Sequence, residues 1–141
     1  MSLPTRVHVL PAADVPQGAD LVVDEPDSPR SAAERLRDPR AGRPPSLLIR
    51  IAELNSPDQI AVLGAQQRDR RVEIEAELRS YTGPLFANIA TVAVLEVGPL
   101  DLTPGRAEAA ITLHTLPFDT IDQPDDAGPP STTTRVVPFT V

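Results

Sequence analysis

The chain has 141 residues, the usual size of one domain, and 20 acidic against 13 basic residues give a formal net charge of −7. It contains no cysteine and no lysine, which excludes disulfides, thiolate metal sites, cysteine nucleophiles and lysine Schiff bases. The acidic balance disfavours nucleic acid and anionic membranes as partners, and no apolar run approaches the roughly 18–20 residues that span a bilayer.

The first residues show no targeting segment. They lack the basic region and apolar stretch of a secretory signal, and Ser2 occupies the position where myristoylation needs glycine. We therefore expect cytoplasmic synthesis without a signal peptide.

Residues 4–10 are predicted to form a short strand. Val7 and Val9 share one face of it, because successive side chains of a strand alternate. The flanking Pro4 and Pro11 favour an edge position, since proline cannot donate to a strand ladder.

Residues 11–29 contain five acids and one apolar cluster, so we predict an extended segment with one short strand. A helix is predicted over 31–38, where Ser31 and Glu34 have the spacing of a capping box. Together, residues 1–45 are interpreted as an extended, proline-rich arm that carries this short helix.

The rest of the chain, 46–141, is predicted to be a β-domain with an acidic loop at 119–133. The clearest strand is 71–79, where apolar residues alternate with glutamates at period two. Residues 57–66 fit a short helix or a strand, and the strand is preferred. The other strands are predicted at 46–54, 87–97, 107–116 and 135–141, the last at an edge because of Pro138.

This spacing of short strands and turns predicts a mainly β fold, either an antiparallel sandwich or a small barrel. The core is expected within residues 46–118, and its expected members include Leu47, Ile49, Leu63, Ile111 and Leu113.

Residues 1–45 and 119–133 have too few apolar side chains to offset the cost of ordering them. They must either pack on the chain's own sheet or lie across neighbouring subunits. Their proline content favours the second alternative, because proline lowers the entropy lost on docking.

No catalytic, cofactor or metal site is predicted. His8 and His114 belong to no metal-binding pair, and a serine–histidine–acid triad would have to recruit one of them. Glu73, Glu75 and Glu77 lie about 7 Å apart on one strand face and are interpreted as a solvated surface balanced by nearby arginines.

Segregated charge is the strongest candidate for an interaction site. Residues 30–43 carry a local charge near +3 and follow a segment with five acids. Nucleic acid is disfavoured because no aromatic residues are interleaved. We expect these opposite charges to pair between copies or with a protein partner. The predicted interaction residues are Arg30, Arg35, Arg37, Arg40, Arg43, Asp24, Glu25 and Asp27.

Two hypotheses for function follow. The first is a non-enzymatic structural or assembly protein, most concretely a virion component such as a capsid decoration or cement protein, or a neck, tail or baseplate subunit. Its partners would be protein subunits of the same particle, including copies of itself, and no membrane. The alternative is a small β-barrel enzyme or ligand-binding protein whose site is scattered over several strands.

Overall fold

The computed structural model describes residues 2–18, 20–40, 42, 44–55, 58–81, 90–118 and 129–141. The predictions for 57–66, for 87–97 and for the loop at 119–133 fall in part outside the described residues, and Arg43 lies outside them entirely. The described elements are β1 (Thr5–Pro11), a 3-10 turn (Ala12–Asp14), β2 (Leu21–Asp24), α1 (Ala32–Arg37), β3 (Ser46–Asn55), β4 (Gln59–Arg68), β5 (Arg71–Tyr81), β6 (Ala90–Val97), β7 (Arg106–Phe118) and β8 (Ser131–Thr140).

The strands form two four-stranded sheets. The first sheet has the order β1-β6-β3-β2 and the second has the order β4-β5-β7-β8. The prediction of a mainly β fold is confirmed, and of the two predicted architectures the structure has the sandwich.

Pairing is antiparallel except between β5 and β7, which are parallel. The antiparallel prediction is therefore wrong for this one pair. The reason is topological, because the chain leaves the second sheet after β5, forms β6 in the first sheet, and returns to run along β5 in the same direction.

The core lies between the two sheets. On β5 the alternating apolar side chains of Val72, Ile74 and Ala76 are buried, as their period predicts, and the glutamates between them face outward. They pack in one cluster with apolar residues of β3 and β6, among them Leu47, Ile49, Leu95 and Val97.

A second apolar cluster covers the outer face of the first sheet. Leu48 on β3 and Val94 on β6 are fully buried there, beneath Val15 and Leu36. Strand β3 is therefore apolar on both faces, because one face meets the second sheet and the other meets α1 and the turn before β2.

The predictions about edges and about residues 57–66 are confirmed. Strands β1 and β8 are edge strands, and most of 57–66 belongs to strand β4. Leu63 was expected in the core, but its side chain is 53% exposed. The register of β4 shifts at this residue, between Val62 and Gly64.

The described residues of the segment 1–45 pack on their own chain. Strand β1 pairs along β6, β2 pairs along β3, and Leu36 of α1 contacts the first sheet. Of the two alternatives for this segment, its described residues take packing on the chain's own sheet, since most of its large apolar side chains are spaced so that they reach one of two clusters. At the other end, strand β8 (Ser131–Thr140) begins four residues earlier than the strand predicted at 135–141.

No helix in the described residues is long and apolar enough to cross a membrane.

Candidate functional site

A cluster of charged side chains lies between α1 and the first sheet. The helix begins at Ser31, whose Oγ accepts a hydrogen bond from the Glu34 amide at 3.3 Å, as the capping pattern predicts. Because α1 buries Leu36 against the first sheet, the preceding Arg35 is directed toward the end of β2. The guanidinium of Arg35 thereby becomes buried.

Arg35 joins two carboxylates from different strands. Its Nε lies 2.5 Å from Oδ2 of Asp24, the last residue of β2, and its Nη1 lies 3.0 Å from Oε1 of Glu96 on β6. Glu96 in turn lies 3.0 Å from Nε2 of His8 on β1. One helical side chain thus links three of the four strands of the first sheet through charged contacts.

Asp24 is completely buried and accepts hydrogen bonds from several donors. Besides Arg35, the backbone amide of Arg40 donates to its Oδ1 at 2.6 Å, and Nη2 of Arg30 lies 3.2 Å from the same oxygen. Charge-assisted hydrogen bonds of this kind are what a buried carboxylate needs in order to remain ionised.

The two carboxylates are held in the ionised form. Burial raises the pKa of Asp24, but the hydrogen bonds from Arg35 and from the Arg40 amide outweigh it, so the pKa lies below its ordinary value. Burial likewise raises the pKa of Glu96, and the hydrogen bonds from His8 and Arg35 bring it below the ordinary value. The cluster is therefore an ion network that fastens α1 to the first sheet, with both carboxylates paired and the buried Nε of Arg30 left without a hydrogen-bond partner.

The predicted interaction residues divide into two groups. Asp24, Arg30 and Arg35 pair with one another inside the chain, and contact of these three with a partner stays a prediction. The physical reason for the internal pairing is the short turn after β2, which returns the chain over its own sheet.

The other predicted interaction residues lie nearer the surface. Arg37, Arg40 and Asp27 are exposed, and Glu25 is partly buried with its carbonyl oxygen accepting a hydrogen bond from Arg35. Two members of the network, Glu96 and His8, were not predicted. The available signal was the single acid in the apolar run of β6.

The outer face of the second sheet carries a row of polar side chains. His114 on β7 contacts Oε1 of Glu75 on β5 through Nε2 and Oγ1 of Thr132 on β8 through Nδ1, each at 3.0 Å. A hydroxyl, an imidazole and a carboxylate follow one another here in the order of a hydrolase triad. The imidazole and the carboxylate are both open to solvent, with side-chain exposures of 33% and 55%, which makes the row a cross-strand ladder on an exposed face.

A shallow groove of about 480 Å³ lies beside this row. The residues that line it include Leu63, Gly64, Arg68, Arg71, Ala110 and Thr112. The glutamates of β5 are balanced as predicted, since Arg68 lies 3.6 Å from Glu73 and Arg79 lies 3.2 Å from Glu77.

The edge strands of the two sheets carry the exposed apolar side chains. Among the described residues, the large apolar side chains that are most exposed are Val9, Leu63 and Val136, at 54%, 53% and 49%. They belong to β1, β4 and β8, and each of these strands is the outermost of its sheet. Comparison with protein-family models, curated proteins and solved structures found no match.

Proposed function

We propose that this chain is a non-enzymatic structural subunit of a large protein assembly, most concretely a virion component such as a capsid decoration or cement protein, or a neck, tail or baseplate subunit. One observation carries the proposal: the exposed apolar side chains Val9 and Val136 lie on edge strands, one in each sheet. Sheet edges present unpaired backbone donors and acceptors, and apolar side chains beside them favour pairing with another chain.

The acidic composition fits this use of the surface. A net charge of −7 keeps the isolated subunit soluble until its sheet edges contact those of another subunit. Backbone hydrogen bonds and a few apolar side chains make a weak interface. In a symmetric particle the same interface is repeated many times, so that weak contacts together hold the particle. The proposed partners are protein subunits of the same particle, including copies of this chain.

Sedimentation of tagged chain from its native host tests the proposal. The wild-type chain is expected in fractions far heavier than its 15.1 kDa mass, and Val9→Arg or Val136→Arg is expected to move it to light fractions. Gln17→Arg is the matched control, because it adds the same charge at an exposed position outside the strands. Wild-type chain confined to the lightest fractions would contradict assembly. Nuclease-resistant nucleic acid in the heavy fractions would identify the particle as a virion.

The alternative proposal is an enzyme or ligand-binding protein that uses the outer face of the second sheet. The observation that favours it is the row Glu75–His114–Thr132 beside the groove. Hydrolysis of an activated ester by the wild-type chain, lost in both His114→Ala and Thr132→Val, would support this alternative. Equal rates for wild type and the two variants would remove it.

A further inference from the structure

The four sheet edges differ in how accessible they are to another strand. Strand β2 has only four residues, Leu21–Asp24, and is therefore a short template. Strand β1 is bounded by Pro4 and ends at Pro11, which cannot donate hydrogen bonds.

Strand β4 is partly covered by the start of the same chain. The amide of Leu3 donates to the carbonyl oxygen of Ala65 at 2.9 Å, and Ser2 forms an antiparallel bridge with Gln66. The register shift between Val62 and Gly64 bends this edge further, and bulges of this kind discourage pairing.

Strand β8 is the long edge of the second sheet. It has ten residues, about 33 Å of extended chain, and among the described strands it pairs only with β7. Ser131 through Val136 are all exposed, and the proline of this strand, Pro138, lies beyond them. This six-residue stretch is therefore suited to accept a further strand.

The sequence of this edge is compatible with pairing to itself. Thr132, Thr133 and Thr134 are uncharged and β-branched, and opposed threonines stabilise antiparallel pairs. Such a contact already exists inside the chain, where Oγ1 of Thr134 lies 3.2 Å from Oγ1 of Thr112 on β7.

The one charged side chain of β8 does not oppose itself in this arrangement. A two-fold axis at Thr133 or Thr134 places Arg135 opposite Ser131 or Thr133 of the other copy, so like charges are not brought face to face. The guanidinium of Arg135 donates to the carbonyl oxygen of Arg50 in the first sheet of its own chain, which gives its charge an internal partner.

We propose that two copies of this chain pair antiparallel through β8, about a two-fold axis at Thr133 or Thr134, and join their second sheets into one eight-stranded sheet. The inference rests on the proposed assembly function and names its elementary contact. Growth stops at two copies along this sheet, because the opposite edge, β4, is bridged by Ser2 and bent by its register shift.

Single cysteines test this pairing directly, because the chain has none of its own. At a two-fold axis the paired β-carbons approach within about 5 Å, close enough for a disulfide to form. Thr133→Cys or Thr134→Cys is therefore expected to give a reducible dimer on a non-reducing gel. The yield should exceed that of Leu63→Cys by about tenfold in dilute solution, since pairing holds the two thiols at high effective concentration.

Leu63→Cys is the matched control, because residue 63 is exposed on the other edge strand of the same sheet. Light scattering of the wild-type chain is expected to give twice the 15.1 kDa chain mass. A monomeric wild type, or cross-linking no faster than that of the control, would overturn pairing through β8.

The two proposals fail in different ways. If the wild-type chain sediments in heavy fractions but neither β8 cysteine cross-links, β8 pairs with a different protein. Self-pairing is then wrong, and the proposed assembly function stands. If the cysteines cross-link and heavy fractions are absent, the dimer stands and the larger particle does not.

Discussion

At the scale of single residues, Arg35 is the residue that joins the two carboxylates of the buried ion network. It neutralises the fully buried Asp24 and contacts Glu96, so its loss leaves a buried carboxylate with fewer donors. Breaking a buried ion pair from one side costs more than the pair itself contributes, because the remaining charge stays desolvated.

We expect Arg35→Ala to lower the free energy of unfolding by about 3–5 kcal/mol, measured by urea denaturation. Arg37→Ala is the control, because Arg37 is exposed two residues further along the same helix. It should change the free energy of unfolding by no more than about 0.5 kcal/mol. Equal effects of the two substitutions would show that the ion network contributes nothing to stability.

The same network makes stability depend on pH. The pKa values of Asp24 and Glu96 are lowered in the folded chain, so both bind protons more readily when unfolded. Their stabilisation is therefore complete above the ordinary carboxyl pKa of about 4 and is lost as the pH falls through the lowered values.

Acid denaturation monitored by circular dichroism measures this loss. Glu96→Gln is expected to reduce the slope of unfolding free energy against pH below about pH 4, because one depressed carboxyl is removed. Asp14→Asn is the matched control, because it replaces an exposed acid that lies outside the ion network. If the unfolding free energies of wild type and Glu96→Gln change equally with pH, the role assigned to this carboxylate is contradicted.

At the scale of elements, the connection from β6 to β7 depends on Gly98. Its φ of +136° is a conformation that side chains other than glycine rarely adopt. A β-carbon there would lie 2.7 Å from Oγ and 3.1 Å from Cα of Ser46, the first residue of β3. The chain can thus leave the first sheet at this point only where no side chain is present.

We expect Gly98→Ala to lower the free energy of unfolding by at least about 1–3 kcal/mol, through backbone strain and the clash with Ser46. Gly64→Ala is the comparison, since no heavy atom lies within 4 Å of the β-carbon that it would add. It should leave stability unchanged or raise it by up to about 1 kcal/mol. Thermal unfolding of both variants distinguishes them, and similar melting temperatures would contradict the assigned strain.

At the scale of the whole molecule, the two parts proposed from sequence share one fold. Residues 1–45 supply both outer strands of the first sheet and cover Leu48, Val92 and Val94 on its outer face. Each buried side chain of this size contributes about 1.5–3 kcal/mol, so exposing three of them removes an amount comparable to the net stability of a domain.

A chain of residues 46–141 alone is therefore expected to lack a cooperative unfolding transition, and residues 1–45 added as a separate chain should restore it. Urea titration followed by circular dichroism measures both. Cooperative unfolding of 46–141 by itself would show that residues 1–45 are dispensable, as the original division into arm and domain implied.

Local sequence patterns alone determined several of the secondary-structure elements of this protein and which strands lie at sheet edges. Period-two alternation placed β5 with its buried and exposed faces, Ser31 and Glu34 placed α1, and prolines identified β1 and β8 as edges, because each signal acts between residues close in sequence. Only the tertiary structure decided that β5 and β7 run parallel and that Asp24, Arg35 and Glu96 meet. Those contacts join residues far apart along the chain, and their energy depends on burial, which no local pattern encodes.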